Sequence, residues 1–391
     1  MPLMDSHALR IRADFRDKFH SEPLLVRSPG RVNLLGEHTD YNQGFVLPAA
    51  VDKAIILALG PLHGEECHLY ARDLGQSFAF HPDRIVRTGL GWPNYLLGVV
   101  REIQGTGRRV PAFGCLFGGD IPIGAGMSSS AAIEGGLAFA LNALFGLGLE
   151  PLDIVKLAQR AENEFVGVRC GIMDQFVNIF GRPKSVLKLD CRSLEHVLYP
   201  FDREDLRIVL CDTRVKRELA SSEYNVRRAE CEAGVKALDK YRPGLSSLRD
   251  VTVDLLEAHG HELDPVIFRR CAYVVGENER VEAACRDLER GDLSAFGRRM
   301  NASHDGLRDD YQVSCRELDI LVEAARSVAG VLGSRLMGAG FGGCTINLVE
   351  AGAQEEFQER VGSEYRAKTG REALFHISRL SSGTAVLDVS S

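Results

Sequence analysis

The chain has no surplus of positive charge: its 391 residues carry 47 Lys and Arg against 54 Asp and Glu, a formal net charge of −7. No whole-chain field gathers a polyanion, so a nucleic acid is not an expected partner. Long apolar runs are missing as well. Nothing approaches the ~20 residues that cross a bilayer, and the opening MPLMDSHALRIRADF lacks the apolar centre of a secretory signal. A cytoplasmic protein with no membrane partner is expected. None of the ten cysteines stands in a C-x-x-C pair, which removes a structural zinc and a disulfide framework and reads the thiols as small core residues. Familiar nucleotide signatures are also absent. There is no G-x-x-x-x-G-K-[ST], no H-R-D or D-F-G triplet, and no glycine fingerprint at an opening βαβ unit.

What remains is an ordinary globular composition, 45% hydrophobic and 26% charged, in a chain long enough for two lobes. The short apolar run 54–59 suits a strand. Helical spacing follows at Leu96, Val99, Val100 and Ile103, and again after Ser128 at Ile133, Leu137, Leu141 and Leu144. A third helix opens at Pro151 and continues to Phe165. Strands are expected at 185–189, 207–211 and 345–349, and helices near 221–239, 265–290 and 316–327. The polar stretch 200–205 has few core candidates, which divides the chain into domains 1–203 and 204–391. Helices and strands alternate in both halves, with no fixed repeat.

Four stretches carry chemistry. In Gly124-Ala125-Gly126-Met127-Ser128-Ser129-Ser130, glycines let backbone approach a ligand and a helix starts at the serines, which makes an anion site. The hydroxyls can bind phosphate oxygens or a cation. A tight turn with a serine cap would explain one serine but not three behind two glycines. In Glu37-His38-Thr39-Asp40, acceptors and a donor sit together as vicinal hydroxyls require; a metal site there lacks a third ligand. Asp174, in Gly171-Ile172-Met173-Asp174-Gln175-Phe176, is either a helix cap or a carboxylate with restricted water, and local sequence leans to the cap. Gly338-Ala339-Gly340-Phe341-Gly342-Gly343 has four glycines in six residues before a strand, suited either to a loop of positive φ or to backbone closing on a ligand.

These stretches, in this order, resemble the three motifs of the GHMP kinase superfamily: 29–35, 122–132 and 338–344. Gly30-Arg31-Val32-Asn33-Leu34-Leu35-Gly36-Glu37-His38-Thr39-Asp40-Tyr41-Asn42 is similar to the signature of its galactokinase branch. So are Gly171–Phe176, Ser221-Ser222-Glu223-Tyr224 and Val275-Gly276-Glu277. The resemblance implies an α+β protein of two domains, the first like ribosomal protein S5 and the second ferredoxin-like, with the active site between them. It implies transfer of phosphate from ATP to the C1 hydroxyl of galactose, the first step of that sugar's catabolism. By the same resemblance Asp174 and Arg31 are catalytic, and Glu37, His38, Asp40, Gly171 and Tyr224 bind sugar. Gly124, Ala125, Gly126, Met127, Ser128, Ser129 and Ser130 hold ATP phosphates, Trp92 stacks near adenine, and Ser130 and Glu162 hold Mg2+. A monomer or weak dimer is expected. Sibling kinases for N-acetylgalactosamine, galacturonate or arabinose share much of the signature, and Thr39 favours galactose. A sugar sensor that has lost catalysis is disfavoured because Ser130-Ala131, Arg31 and Asp174 are all present.

Overall fold

The computed structural model of the protein describes residues 6–122, 124–215 and 220–388; the side chains of 220–222, which include Ser221 and Ser222, lie outside that description. The first half contains helix α1 (Ser6–Phe19) and strands β1 (Leu24–Asn33), β2 (Phe45–Val46), β3 (Pro48–Pro61), β4 (Cys67–Ala71) and β5 (Gln76–Phe80). Then come α2 (Pro93–Gly105), β6 (Phe113–Gly119), α3 (Ser129–Phe145), α4 (Pro151–Arg160), α5 (Met173–Phe180), β7 (Ser185–Asp190) and β8 (His196–Pro200). The second half runs β9 (Leu206–Asp212), α6 (Ala220–Leu238), α7 (Val253–His259), α8 (Pro265–Glu289), α9 (Leu293–Asp309) and α10 (Arg316–Arg326). It ends with β10 (Val331–Leu336), β11 (Cys344–Glu350), α11 (Gln354–Thr369), β12 (Leu374–Ser378) and β13 (Ala385–Val386).

Three sheets result, ordered β13-β1-β3-β6-β4-β5, β10-β11-β9-β12 and β2-β7-β8. The expected α+β class is what is seen. The chain leaves the third sheet at Pro200 and enters the second at Leu206, and its last strand returns to pair with β1 at Val26 and Arg27. The intervening segment is not bare of core: Phe201 is buried in the main apolar cluster.

Helix α3 buries Ala131, Ala132, Leu137, Ala138, Ala140 and Leu141 and packs over β1 and β3. That burial fixes its N-terminus beside the end of β1, where the site lies. β3 is far longer than the six-residue run read from the sequence, because its flanking Ala and Val residues are buried too. The helix from Pro151 changes at Ala161 into a wide π turn that ends at Val166, a local form common at functional sites. β8 went unread because most of it is exposed, Val197 and Leu198 included. α11 went unread because it buries only Phe357, Val361 and Tyr365, a thin stripe at four-residue spacing. Those three close the four-stranded sheet together with Val209, Leu321 and Ala324. Phe357→Ala is therefore expected to cost about 3–5 kcal/mol, measured by urea unfolding; a change within error would mean that α11 does not hold this half together.

Candidate active site

Arg31 owes its position to an interruption. The β1 to β3 register shifts between Pro29 and Arg31, since Pro29 has no N–H to donate. At Gly30 a side chain would meet the Met127 carbonyl at 2.9 Å. The Arg31 amide then donates to that carbonyl at 3.1 Å, which stitches the strand to the loop before α3. The Arg31 guanidinium faces Asp174 in a two-pronged pair, Nε to Oδ1 at 2.7 Å and Nη2 to Oδ2 at 2.6 Å. Its Nη1 donates to the Gly126 carbonyl, and the Ser128 hydroxyl donates to Asp174 Oδ2. Asp174 is thus no helix cap: α5 starts at Met173 with Ile172 ahead of it, and the carboxylate points across to another element.

The loop 124–130 enters α3 through Ser128, which adopts a left-handed conformation (φ 54°) and makes no cap hydrogen bond. Its hydroxyl is committed to Asp174 instead. Gly124, Gly126, Met127, Ser128, Ser129 and Ser130 line a cleft of about 370 Å³, within the range of small-molecule sites. Ala125 turns its methyl into the core. Trp92 does not line this cleft; its indole N–H donates to Gln76 Oε1 at 2.7 Å and its ring stands 5.8 Å from Phe117.

Across the cleft stand Glu37, His38, Asp40, Gly171 and Tyr224. Glu37 Oε1 accepts from the Gly338 amide at 2.7 Å and from Arg335 Nη2 at 3.1 Å. Arg335, on β10, is fully buried and also donates to the carbonyls of Asn33, Leu34 and Leu336 at 2.6, 2.8 and 2.8 Å. The glycine-rich loop after β10 is thereby held on the acidic loop after β1. His38 lies at φ 63°, a strained angle for a non-glycine residue. Its Nε2 donates to the Ala339 carbonyl at 3.3 Å, so Nδ1 accepts from the Tyr41 hydroxyl at 2.8 Å. Tyr41 in turn accepts from Tyr311 at 2.7 Å. Burial lowers His38 to about 3, and the ring is neutral at working pH with both nitrogens in use. Thr39 is buried, with its hydroxyl on the carbonyls of Gly36 and Phe45 at 2.8 and 2.6 Å. It does not line the cleft.

Asp40 is pushed up to about 7, first by burial and then by the Asp174 charge. Gly171 is where it is because any side chain would overlap the Asp40 carboxylate. Glu162, in the π turn, also lines the cleft and is raised by burial and by Asp174. Its Oε2 accepts from Gln175 Nε2 at 2.7 Å.

The three comparisons agree on what this geometry belongs to. The galactokinase galactose-binding signature matches residues 13–61, and the GHMP kinase N-terminal and C-terminal domains match 94–182 and 284–367. A galactokinase of Roseiflexus sp. is 45% identical over 97% of this chain and 97% of its own length. The chain belongs to the galactokinase family. The human galactokinase is 41% identical over 96% of this chain and 95% of that protein. A solved galactokinase of Lactococcus lactis in complex with galactose superimposes with a TM-score of 0.93 at 35% identity, covering 97% of this chain and 99% of that one. A mevalonate kinase structure, at 18% identity and a TM-score of 0.66, shares the fold.

Sequence reasoning in the galactokinase frame did not single out Arg335, Tyr41 or Gln175. A lone arginine inside the apolar strand before Gly338 was the available signal for the first. Asp40→Asn supplies a test of the electrostatics. The Asp40 carboxyl is raised from 3.8 to about 7 on folding, so its contribution to stability is present below pH ~4 and is lost as pH rises through about 7. The variant's gain in Tm over the wild type is therefore expected to grow between pH 4 and 7 and to level off above. A gain that is flat with pH would show that Asp40 titrates normally.

Proposed function

We propose that the chain transfers the γ-phosphoryl group of ATP to the C1 hydroxyl of galactose, with Asp174 beside the attacking oxygen. The observation that carries this is the Asp174 carboxylate, gripped by Arg31 at the seam between the serine loop and the Glu37 to Asp40 cluster. In this reading Glu37, Asp40 and Tyr224 meet the sugar hydroxyls. A wrong epimer would leave buried polar groups without partners, which is costly. His38 spends both ring nitrogens on the chain, so its part is to hold Ala339 and Tyr41 and to offer ring surface. Trp92 lies outside the cleft lining, and its contact with adenine rests on family resemblance alone.

The loop amides and the hydroxyls of Ser129 and Ser130 face the phosphates. Phosphoryl transfer needs alignment and neutralisation of charge more than covalent help. The C1 hydroxyl proton moves toward Asp174 as its oxygen bonds phosphorus, and the bond to the leaving ADP breaks. Arg31 keeps the Asp174 carboxylate aimed at that oxygen and sets a positive charge at the point of transfer.

Carboxyl groups of Asp40, Glu162 and Asp174 surround a site that must also take a polyphosphate, and among the described residues that line the cleft only Arg31 carries the opposite charge. That donor set fits Mg2+, held by Ser130 and Glu162. Among the described residues no three His, Cys, Asp or Glu side chains converge to hold a metal, so phosphate and water would supply the other oxygens, as Mg2+ prefers. When bound, the cation supplies charge neutralisation on the phosphates. No helix among the described residues is long and apolar enough to cross a membrane, in keeping with work in the cytoplasm as a monomer or weak dimer, since one chain builds the whole cleft.

Asp174→Asn is expected to lower turnover by about 10²-fold or more while galactose, followed by calorimetry, still binds. Near-normal turnover would remove Asp174 from its role. A coupled ADP assay over a sugar panel, with and without Mg2+, should show galactose as the preferred acceptor; preference for another sugar would overturn the substrate.

A further inference from the structure

One acid next to the cleft has no part in the account so far. Glu134 is fully buried in α3, and neither of its carboxyl oxygens meets an N–H or O–H with hydrogen-bond geometry. Such a group is expensive to bury unless something completes it. Its neighbours meet it only in part: Glu134, kept protonated by burial, shares its proton with Glu162, the Gln175 amide stands beside it, and Asp174 adds a further negative charge. The Tyr95 phenol, on α2, faces the same acids. Gln175 is also fully buried, and its Oε1 lacks a partner while its Nε2 is spent on Glu162.

The oxygens of Glu134, Glu162 and Gln175 therefore outnumber the N–H and O–H groups around them, with no cation paired to Glu134 or Glu162 among the described residues. The placement follows from sequence. Ser130 and Glu134 are four residues apart on α3 and lie on one face, one turn above the other. The π turn 161–166 swings Glu162 toward that face, and α5 brings Gln175 to the far side. A set of oxygens short of donors calls for a hydrated cation, whose bound waters are strong donors.

We infer that Glu134 is the outer wall of the cation site: it accepts hydrogen bonds from water on a Mg2+ held at Ser130 and Glu162, and with Gln175 it fixes the direction of the Glu162 carboxylate. This rests on the reading of Ser130 and Glu162 as the metal's holders. Glu134 is a positioning residue here, since it touches neither sugar nor nucleotide. Outer groups of this kind commonly set how tightly a metal binds.

The test is calorimetric binding of ADP, in EDTA and in Mg2+, to the wild type and to Glu134→Gln. In EDTA the variant should bind ADP as well as the wild type or better, and should unfold at no lower temperature, because the amide replaces a buried acid that lies among like charges and can still donate to Glu162. The tightening produced by Mg2+ should fall about 10–100-fold in the variant, and Glu134→Asp, which keeps the charge, should restore part of it. Equal tightening in wild type and Glu134→Gln would overturn the inference while leaving the magnesium reading intact. No tightening in the wild type itself would remove both. A variant with a lowered melting temperature in EDTA but the full Mg2+ effect would make Glu134 a structural acid and overturn the inference as well.

Discussion

The buried guanidinium of Arg335 is the contact on which the proposed sugar side of the cleft depends. It comes from β10 in the second half and reaches the carbonyls of Asn33 and Leu34 and the carboxylate of Glu37 in the first. Taking an arginine fully out of water is costly, and the cost is offset only when its donors are met and its charge is paired. Here the planar fork matches acceptors on three sides, a geometry that lysine cannot copy. Because the Gly338 amide shares the Glu37 oxygen with Arg335, the clamp sets the glycine-rich loop and the acidic loop at one spacing. His38 adds a second tie through Ala339.

The proposed phosphate side is organised by a second arginine. Arg31 follows a register break in β1 at Pro29-Gly30 and holds both oxygens of Asp174. Around that pair lie more acids than the protein needs for folding. Asp40, Glu134 and Glu162 are each raised by burial, so each weakens the empty protein. Such strain is the usual mark of a site kept for its ligands at the expense of stability. Sugar hydroxyls and a divalent cation are the groups that would relieve it.

Much of this was legible before the structure. The glycine-serine loop read as an anion site because three serines behind two glycines have few other uses, and α3 does begin there. Glu37 and Asp40 read as hydroxyl partners because acceptors and a donor sit together in a glycine-flanked loop; that Glu37 also serves to hold Arg335 and the Gly338 amide was not foreseen. Local sequence misjudged Asp174, since a cap and a cleft carboxylate look alike until the partner, Arg31, is known to lie 143 residues away in sequence. Glu134 was passed over as one polar residue in an apolar helix, although its four-residue spacing from Ser130 was visible. The lone arginine in β10 was visible, but the carbonyls that Arg335 meets in β1 and the contact of Tyr311 with Tyr41 lie far away in sequence, where no local pattern reaches.

On the proposed function, galactose binds only where Arg335 locks the two halves at one spacing. The most direct test is galactose binding to Arg335→Lys, measured by calorimetry on protein whose far-ultraviolet circular dichroism matches the wild type. The account predicts a folded protein that has lost galactose affinity by at least about tenfold, the equivalent of one charge-assisted hydrogen bond of ~1.4 kcal/mol. Wild-type affinity in the lysine variant would contradict it.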